Sequence, residues 1–117
     1  MIDRTTGRVL ANRVKLADTF WRRFRGLMFR REFHRGQALL FNLKKPGRYG
    51  VHMFFVRFPI DLLYLNSNFS VIEVRSALCP WRIHRPKVKA SYIVELPAGT
   101  ISRARIKLEH KLTLRKA

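Results

Sequence analysis

The sequence predicts a mainly β domain of the α+β class: a compact barrel or sandwich with one short amphipathic helix in its N-terminal half. Three observations favour this fold. Several short apolar segments alternate with polar residues at the period of a half-buried strand, glycine and proline turns separate them, and one early segment has helical spacing. Since 117 residues bury one core, we expect a single domain over residues 1–117 with a short basic C-terminal tail.

The strands are predicted in order along the chain. Residues 5–17 are expected to form a hairpin or short strand pair, and residues 37–43 a short apolar strand. Residues 51–66 are interpreted as two strands divided at Pro59, because proline cannot donate a hydrogen bond to a strand ladder. Further strands are predicted at 69–78, 91–97 and 111–117, with basic loops at 44–50 and 79–90.

The helix is predicted to begin after Asp18, whose carboxylate suits an N-cap. Apolar side chains then recur at helical spacing and gather on one face: Phe20, Trp21, Phe24, Leu27 and Met28. The arginines between them fall largely off that face. The segment is therefore predicted to have an apolar side and a guanidinium side.

The net charge is unusual for a chain of this length. Lys and Arg number 25 against 7 Asp and Glu, which gives a formal charge of +18. No acidic residue lies between Glu32 and Asp61 or between Glu73 and Glu95, so local ion pairs cannot neutralise these segments. Such an excess is typical of proteins that bind phosphates.

Four stretches carry a resemblance to a known family. "RGLMFR" (25–30), "QALLF" (37–41), "VHMFFVRFPIDLLYLN" (51–66) and "SYIVELPAGTI" (91–101) resemble, in order and spacing, the DUF192 family of small prokaryotic domains. The resemblance implies a small β-rich domain and little about activity.

Two turns depart from the family pattern. Asn66-Ser67-Asn68 stands where members usually have an acidic residue with glycine, and Glu109-His110 stands where they usually have Gly-Asp.

Charge and resemblance together lead to the main functional prediction. As a highly basic member with altered turns, the chain is taken to resemble an archaeal ribosomal protein, a structural rRNA-binding component of the large subunit in the cytoplasm. The expected partners are ribosomal RNA and neighbouring ribosomal proteins, with no membrane and no DNA. We expect no enzymatic activity, no cofactor and no metal, since the four histidines and single cysteine lack the spacing of metal ligands.

The predicted RNA contacts are arginine and lysine clusters, which neutralise phosphates, together with one tryptophan and one histidine in a basic loop. They are Arg22, Arg23, Arg25, Arg30, Arg31, Arg35, Lys44, Lys45, Arg48, Trp81, Arg82, His84, Arg85, Lys87, Lys89, Arg103, Arg105, Lys107, Arg115 and Lys116. Trp81 is equally consistent with a half-buried core position. His84, between two arginines, is expected to stack on or hydrogen-bond to nucleic acid.

Asp61 supports an alternative function. A carboxylate between apolar residues, close to Arg57 and Pro59, could serve as a general base or ligand anchor. In this hypothesis the chain is a small-ligand-binding domain or enzyme, with Asp61 and His52 lining the pocket. The structural interpretation of the same residue is a carboxylate satisfied by backbone N–H groups at the Pro59 bend, or paired with Arg57.

Overall fold

A computed structural model of the chain describes residues 1–16 and 32–114. Its elements are β1 (Ile2–Asp3), β2 (Arg13–Leu16), β3 (Gln37–Gly47), β4 (Val51–His52), β5 (Ile60–Leu65), β6 (Val71–Leu78), β7 (Ile83–His84), β8 (Ala90–Pro97), α1 (Thr100–Ala104) and β9 (Leu112–Thr113). The prediction of a mainly β fold is confirmed. The predicted helix after Asp18 lies outside the described residues.

A five-stranded sheet in the order β2-β3-β8-β5-β6 forms the body of the domain. All its neighbours are antiparallel except β2 and β3, which pair in parallel from Arg13↔Gln37 to Leu16↔Leu40. The prediction of a hairpin or short strand pair over residues 5–17 is wrong for the described residues 5–16, because β2 pairs with β3 and Val9 bridges to Ile2. Within the described residues the sheet does not close, so the structure is not a barrel.

Strand β5 is the centre of the fold because apolar side chains cover both its faces. Leu63 and Leu65 pack into one core, and Leu62 and Tyr64 pack into a second core on the opposite face. Every residue of β5 is buried, which explains its nearly continuous apolar sequence. The strand begins directly after Pro59, where the sequence predicts the division of residues 51–66.

The short helix α1 follows a turn at the end of β8. Gly99 has φ +94°, a left-handed conformation that favours glycine, and the five helical residues come next. Ile101 and Ala104 are buried in the same core as Leu63. In residues 1–16 and 32–114, no helix is long and apolar enough to cross a bilayer.

Glu109 occupies a strained turn where the family usually has glycine. Its φ is +72°, and its N–H donates to the carbonyl oxygen of Val71 at 2.7 Å, which fixes the turn against β6. We expect Glu109→Gly to raise the free energy of unfolding by about 0.5–1 kcal/mol, because relief of the left-handed strain exceeds the added entropy of the unfolded chain. Glu109→Ala, which removes the same charge and keeps the strain, is the control. Chemical denaturation of both variants measures the difference. If alanine stabilised the protein as much as glycine, the explanation by backbone strain would be contradicted.

Candidate functional site

Asp61 is a structural anchor. The residue is 1% exposed, and its carboxylate accepts three backbone hydrogen bonds. Oδ1 accepts from the N–H of Ala77 at 2.9 Å, and Oδ2 accepts from Gly99 at 3.1 Å and Ile101 at 2.9 Å. Backbone N–H groups therefore satisfy the carboxylate, as the structural interpretation expects, but the donors come from β6 and the start of α1 rather than from the Pro59 bend.

The alternative hypothesis of a ligand pocket lined by Asp61 and His52 stays a prediction, and the structure shows both side chains in contact with backbone N–H groups. The three N–H donors surround the buried carboxylate, and Asp61 lines neither surface pocket described below. The half-buried His52 accepts, through Nδ1, the N–H of Phe54 at 3.3 Å within its own turn. Both side chains thus hold backbone in place, and the two surface pockets lie at other residues.

A surface pocket of about 480 Å³ lies where three distant parts of the chain meet. This volume is within the usual range for small-molecule sites. Its walls come from the segment before β2, the turn before β3, and α1. The lining residues are Arg8, Val9, Leu10, Ala11, Asn12, Arg35, Gly36, Thr100, Arg103 and Ala104. We call it the arginine pocket.

Backbone hydrogen bonds fix two walls of the arginine pocket to each other. The carbonyl oxygen of Gly36 accepts the N–H groups of Asn12 at 2.9 Å and Arg13 at 3.0 Å, at the point where β2 begins to pair with β3. Gly36 has φ +92°, and a Cβ there would lie 2.9 Å from Oδ1 of Asn12. The positive φ favours glycine at this position, and the Asn12 side chain lies close against it.

The third wall is the helix that Asp61 anchors. Thr100 is buried, and its hydroxyl donates to the carbonyl oxygen of Pro97 at 2.7 Å. The same hydroxyl oxygen accepts from Nη2 of Arg103 at 3.3 Å. A Cβ on Gly99 would lie 3.0 Å from Nη1 of Arg103, so the guanidinium rests against this glycine. Asp61, through its hydrogen bonds to Gly99 and Ile101, thus fixes the segment that carries Thr100 and Arg103 in the pocket wall.

The electrostatics of the arginine pocket favour an anion. Arg8, Arg35 and Arg103 all line it, and no lining residue in the described part of the chain is acidic. Guanidinium groups bind phosphate and carboxylate oxygens through paired N–H donors. The side-chain amide of Asn12 adds polar hydrogen-bonding capacity, and Leu10 and Ala11 supply apolar wall. A small ligand whose phosphate or carboxylate groups meet the arginines matches this lining.

A second polar cluster lies between β6 and the segment around β7. Glu73 Oε2 is 2.6 Å from Nε2 of His84, and Glu73 Oε1 accepts the N–H of Lys87 at 2.8 Å. His84, predicted to contact nucleic acid, lies mostly buried with its ring against this carboxylate. Nearby, the Tyr64 hydroxyl is buried with no hydrogen-bond partner among the described residues. Burial and then the charges of Glu73 and Glu95 raise the pKa of Tyr64 well above its usual value.

The structure places the predicted cationic contacts in separate regions. Arg35 and Arg103, both exposed, line the arginine pocket, whereas the other exposed cationic side chains, at residues 44–48, at residues 82–89 and after α1, lie outside it. Those exposed residues are Lys44, Lys45, Arg48, Arg82, Arg85, Lys87, Lys89, Arg105 and Lys107. Outside the described residues lie Arg22, Arg23, Arg25, Arg30, Arg31, Arg115 and Lys116.

Sequence reasoning missed part of the arginine pocket. Arg8 stands outside every basic cluster, and Asn12 and Thr100 have ordinary turn and helix neighbours. The detectable signals are Gly36 and Gly99, two glycines that precede β3 and α1 directly. Trp81 is 59% exposed and lies at the surface, which excludes a half-buried core position.

Comparisons with known proteins show similarity to one family. The family model DUF192, described as an uncharacterised ACR, matches residues 1–114. A UPF0127 protein of Thermococcus sibiricus is 43% identical over 103 residues, 86% of this chain and 65% of that protein. A UPF0127 protein of Pyrococcus furiosus is 39% identical over 114 residues, 96% of this chain and 95% of that protein. The chain thus spans slightly less than two thirds of the Thermococcus sibiricus protein.

Two solved structures share the fold. A protein from Sinorhizobium meliloti 1021, described as a candidate transcription regulator, has a TM-score of 0.81 and 25% identity, over 86% of this chain and 79% of its own. A protein of unknown function from Novosphingobium aromaticivorans has a TM-score of 0.79 and 22% identity, over 84% of this chain and 71% of its own. These similarities support the β fold described above.

The prediction of an archaeal ribosomal protein is wrong, and so is the prediction of ribosomal RNA and ribosomal proteins as partners. The relatives carry the name of an uncharacterised family, and these names give no ribosomal or rRNA-binding role. The physical reason is that a net charge of +18 indicates a preference for anions in general. It does not distinguish rRNA from other anions.

Proposed function

Because the chain belongs to the DUF192 family, also named UPF0127, whose names assign no activity, we propose a function from its own geometry. The domain binds a small molecule that carries phosphate or carboxylate groups, and it does so in the arginine pocket. The observation that carries this proposal is the pocket lining of Arg8, Arg35 and Arg103 without an acidic residue among the described residues. An anion bound among these side chains would meet positive charge from three parts of the chain and no lining carboxylate among the described residues.

We further propose that the pocket binds its ligand without transforming it. The polar groups supplied by its lining are guanidinium, amide, hydroxyl and backbone groups. General acid–base catalysis needs a group that exchanges protons near neutral pH, such as imidazole or carboxylate, and the lining residues in the described part of the chain supply neither. The carboxylate that contacts the start of α1, Asp61, accepts backbone N–H groups with both its oxygens.

The proposal is tested by calorimetric titration with inorganic pyrophosphate and, separately, with citrate, at a salt concentration of about 150 mM. Both probes concentrate charge in a small volume, and the salt screens general attraction to a basic protein. We expect Arg103→Gln to weaken binding about fivefold, equivalent to roughly 1 kcal/mol, since a charge-assisted hydrogen bond at a partly exposed site is lost.

Arg75→Gln is the matched control because it removes the same charge from an exposed position on β6, away from the pocket. We expect this variant to bind within twofold of the wild-type protein. Equal losses in the two variants would show that binding follows net charge alone, and the pocket would then not be the site.

A further inference from the structure

An exposed aromatic surface is built where β4 and β7 pair. Val51 pairs with His84 and His52 pairs with Ile83, which brings the segments 53–57 and 79–82 side by side. The N–H of Trp81 donates to the carbonyl oxygen of Met53 at 2.8 Å, and the N–H of Met53 donates to Arg82 at 2.7 Å. We call residues 51–57 and 79–84 the aromatic lobe.

Four large apolar side chains of the aromatic lobe are exposed to solvent. They are Phe54 (39% exposed), Phe55 (47%), Trp81 (59%) and Ile83 (45%). The rings form one cluster, with the Phe55 and Trp81 centroids 4.9 Å apart and those of Phe54 and Trp81 6.0 Å apart. Contiguous apolar surface of this kind marks an interaction site on a small protein.

Two of the exposed aromatic residues of the lobe have strained backbone conformations. Phe55 has φ +61° and Trp81 has φ +67°, left-handed conformations that disfavour bulky residues. Met53 and Val56 are buried in the core and hold the lobe in place from beneath. Strain of this kind persists only where surrounding contacts impose it, and it concentrates at functional sites.

Two exposed arginines belong to the aromatic lobe, and the carboxylate of Glu73 contacts His84 at its edge. Arg57 and Arg82 are exposed within or beside it, and Arg57 lines a second pocket of about 480 Å³ together with Phe55 and Trp81. The sequence has no Asp or Glu from residue 33 to 60 or from residue 74 to 94, so no acidic side chain in these segments offsets the arginines.

We propose that the aromatic lobe docks the domain onto the surface of an anionic phospholipid bilayer. Tryptophan and phenylalanine enter the headgroup region of bilayers, and arginine side chains near the surface are attracted to anionic headgroups. The lobe combines both groups on segments already fixed by hydrogen bonds, so little ordering is needed on binding. This docking does not require any segment of the chain to span the membrane.

Packing of the rings favours a bilayer over single-stranded nucleic acid. The Phe54 and Phe55 rings lie against Trp81 at 35° and 62° to its plane, so the three rings form a tilted apolar cluster and not a row of parallel faces on which successive bases stack. Ile83 adds apolar volume that a stacked base does not use but a lipid interface does. This inference departs from the sequence-based expectation of no membrane, because the aromatic cluster forms only when β4 pairs with β7 in the folded chain.

Vesicle co-sedimentation tests the inference, with vesicles of phosphatidylcholine containing phosphatidylglycerol and vesicles of phosphatidylcholine alone. We expect the wild-type chain to partition onto the anionic vesicles and at least about tenfold less onto the neutral ones. Phe55→Ser with Trp81→Ser should lower the partition coefficient on anionic vesicles at least about tenfold, because two apolar side chains no longer enter the interface.

Leu108→Ser is the matched apolar control, since Leu108 is 55% exposed but lies in the turn between α1 and β9. It should leave partitioning within twofold. The single variant Trp81→Ser, expected to lose about threefold or more, replaces the double variant if circular dichroism shows the latter unfolded. Unchanged partitioning of the serine variants would overturn the inference. So would binding of the wild-type chain to a single-stranded oligonucleotide but not to anionic vesicles.

Discussion

Asp61→Asn is expected to lower the free energy of unfolding by about 3 kcal/mol. The asparagine side chain has one acceptor oxygen and one N–H₂ donor, whereas the site presents three backbone N–H groups from Ala77, Gly99 and Ile101. One buried donor therefore loses its acceptor and faces another donor, and the remaining bonds lose the charge of the acceptor. For a domain of this size the melting temperature should fall by roughly 10–15 °C.

Glu109→Gln is the control for Asp61→Asn because it makes the same chemical change on an exposed side chain. We expect it to alter stability by less than about 0.5 kcal/mol. Denaturant titration of both variants measures the difference. An Asp61→Asn protein as stable as the wild type would show that the carboxylate does not anchor the start of α1.

Tyr64→Phe is expected to have the opposite sign and to raise the free energy of unfolding by about 1–2 kcal/mol. The Tyr64 side chain is fully buried, and its hydroxyl lacks a hydrogen-bond partner among the described residues, whereas water hydrates it in the unfolded chain. Phenylalanine keeps the ring and removes the desolvated group. Tyr49→Phe, which deletes a hydroxyl that donates to the Lys45 carbonyl oxygen at 3.0 Å, should not stabilise the protein.

The same tyrosine predicts a pH dependence. The pKa of Tyr64 is raised above its usual value of 10.0 by burial and then by Glu73 and Glu95. Above pH 10 the unfolded chain releases this proton while the folded chain keeps it, so the free energy of unfolding falls as the pH rises. Between pH 9 and pH 11 the free energy of unfolding of the Tyr64→Phe variant should fall less than that of the wild-type protein. Equal losses would contradict a buried, protonated Tyr64.

Much of the sheet could be predicted from local sequence. Pro59 divides residues 51–66 as expected, and the alternation in residues 69–78 and 91–97 corresponds to β6 and β8. The parallel pairing of β2 with β3 could not be predicted, because strand pairing depends on contacts between distant segments. Helix α1 has five residues, too few to show a helical period.

The candidate site was harder to predict than the fold. Its walls come from residues 8–12, 35–36 and 100–104, which only the folded chain brings together. Likewise the N–H donors to Asp61 lie 16, 38 and 40 residues away in sequence. Net charge indicates an anionic ligand, but it cannot show which arginines share a pocket. That difference explains why the ribosomal prediction was wrong while two of its residues, Arg35 and Arg103, line the site.

The most direct test of the arginine pocket is an NMR titration of the arginine Nε–Hε signals and backbone amides with inorganic pyrophosphate, at about 150 mM salt. We predict that the side-chain signals of Arg8, Arg35 and Arg103 and the amide of Gly36 shift together and saturate with one dissociation constant. Signals of the exposed Arg57 and Arg75 should move little. Shifts that spread over all exposed arginines without saturation, or that leave the pocket signals in place, would contradict an anion site at this position.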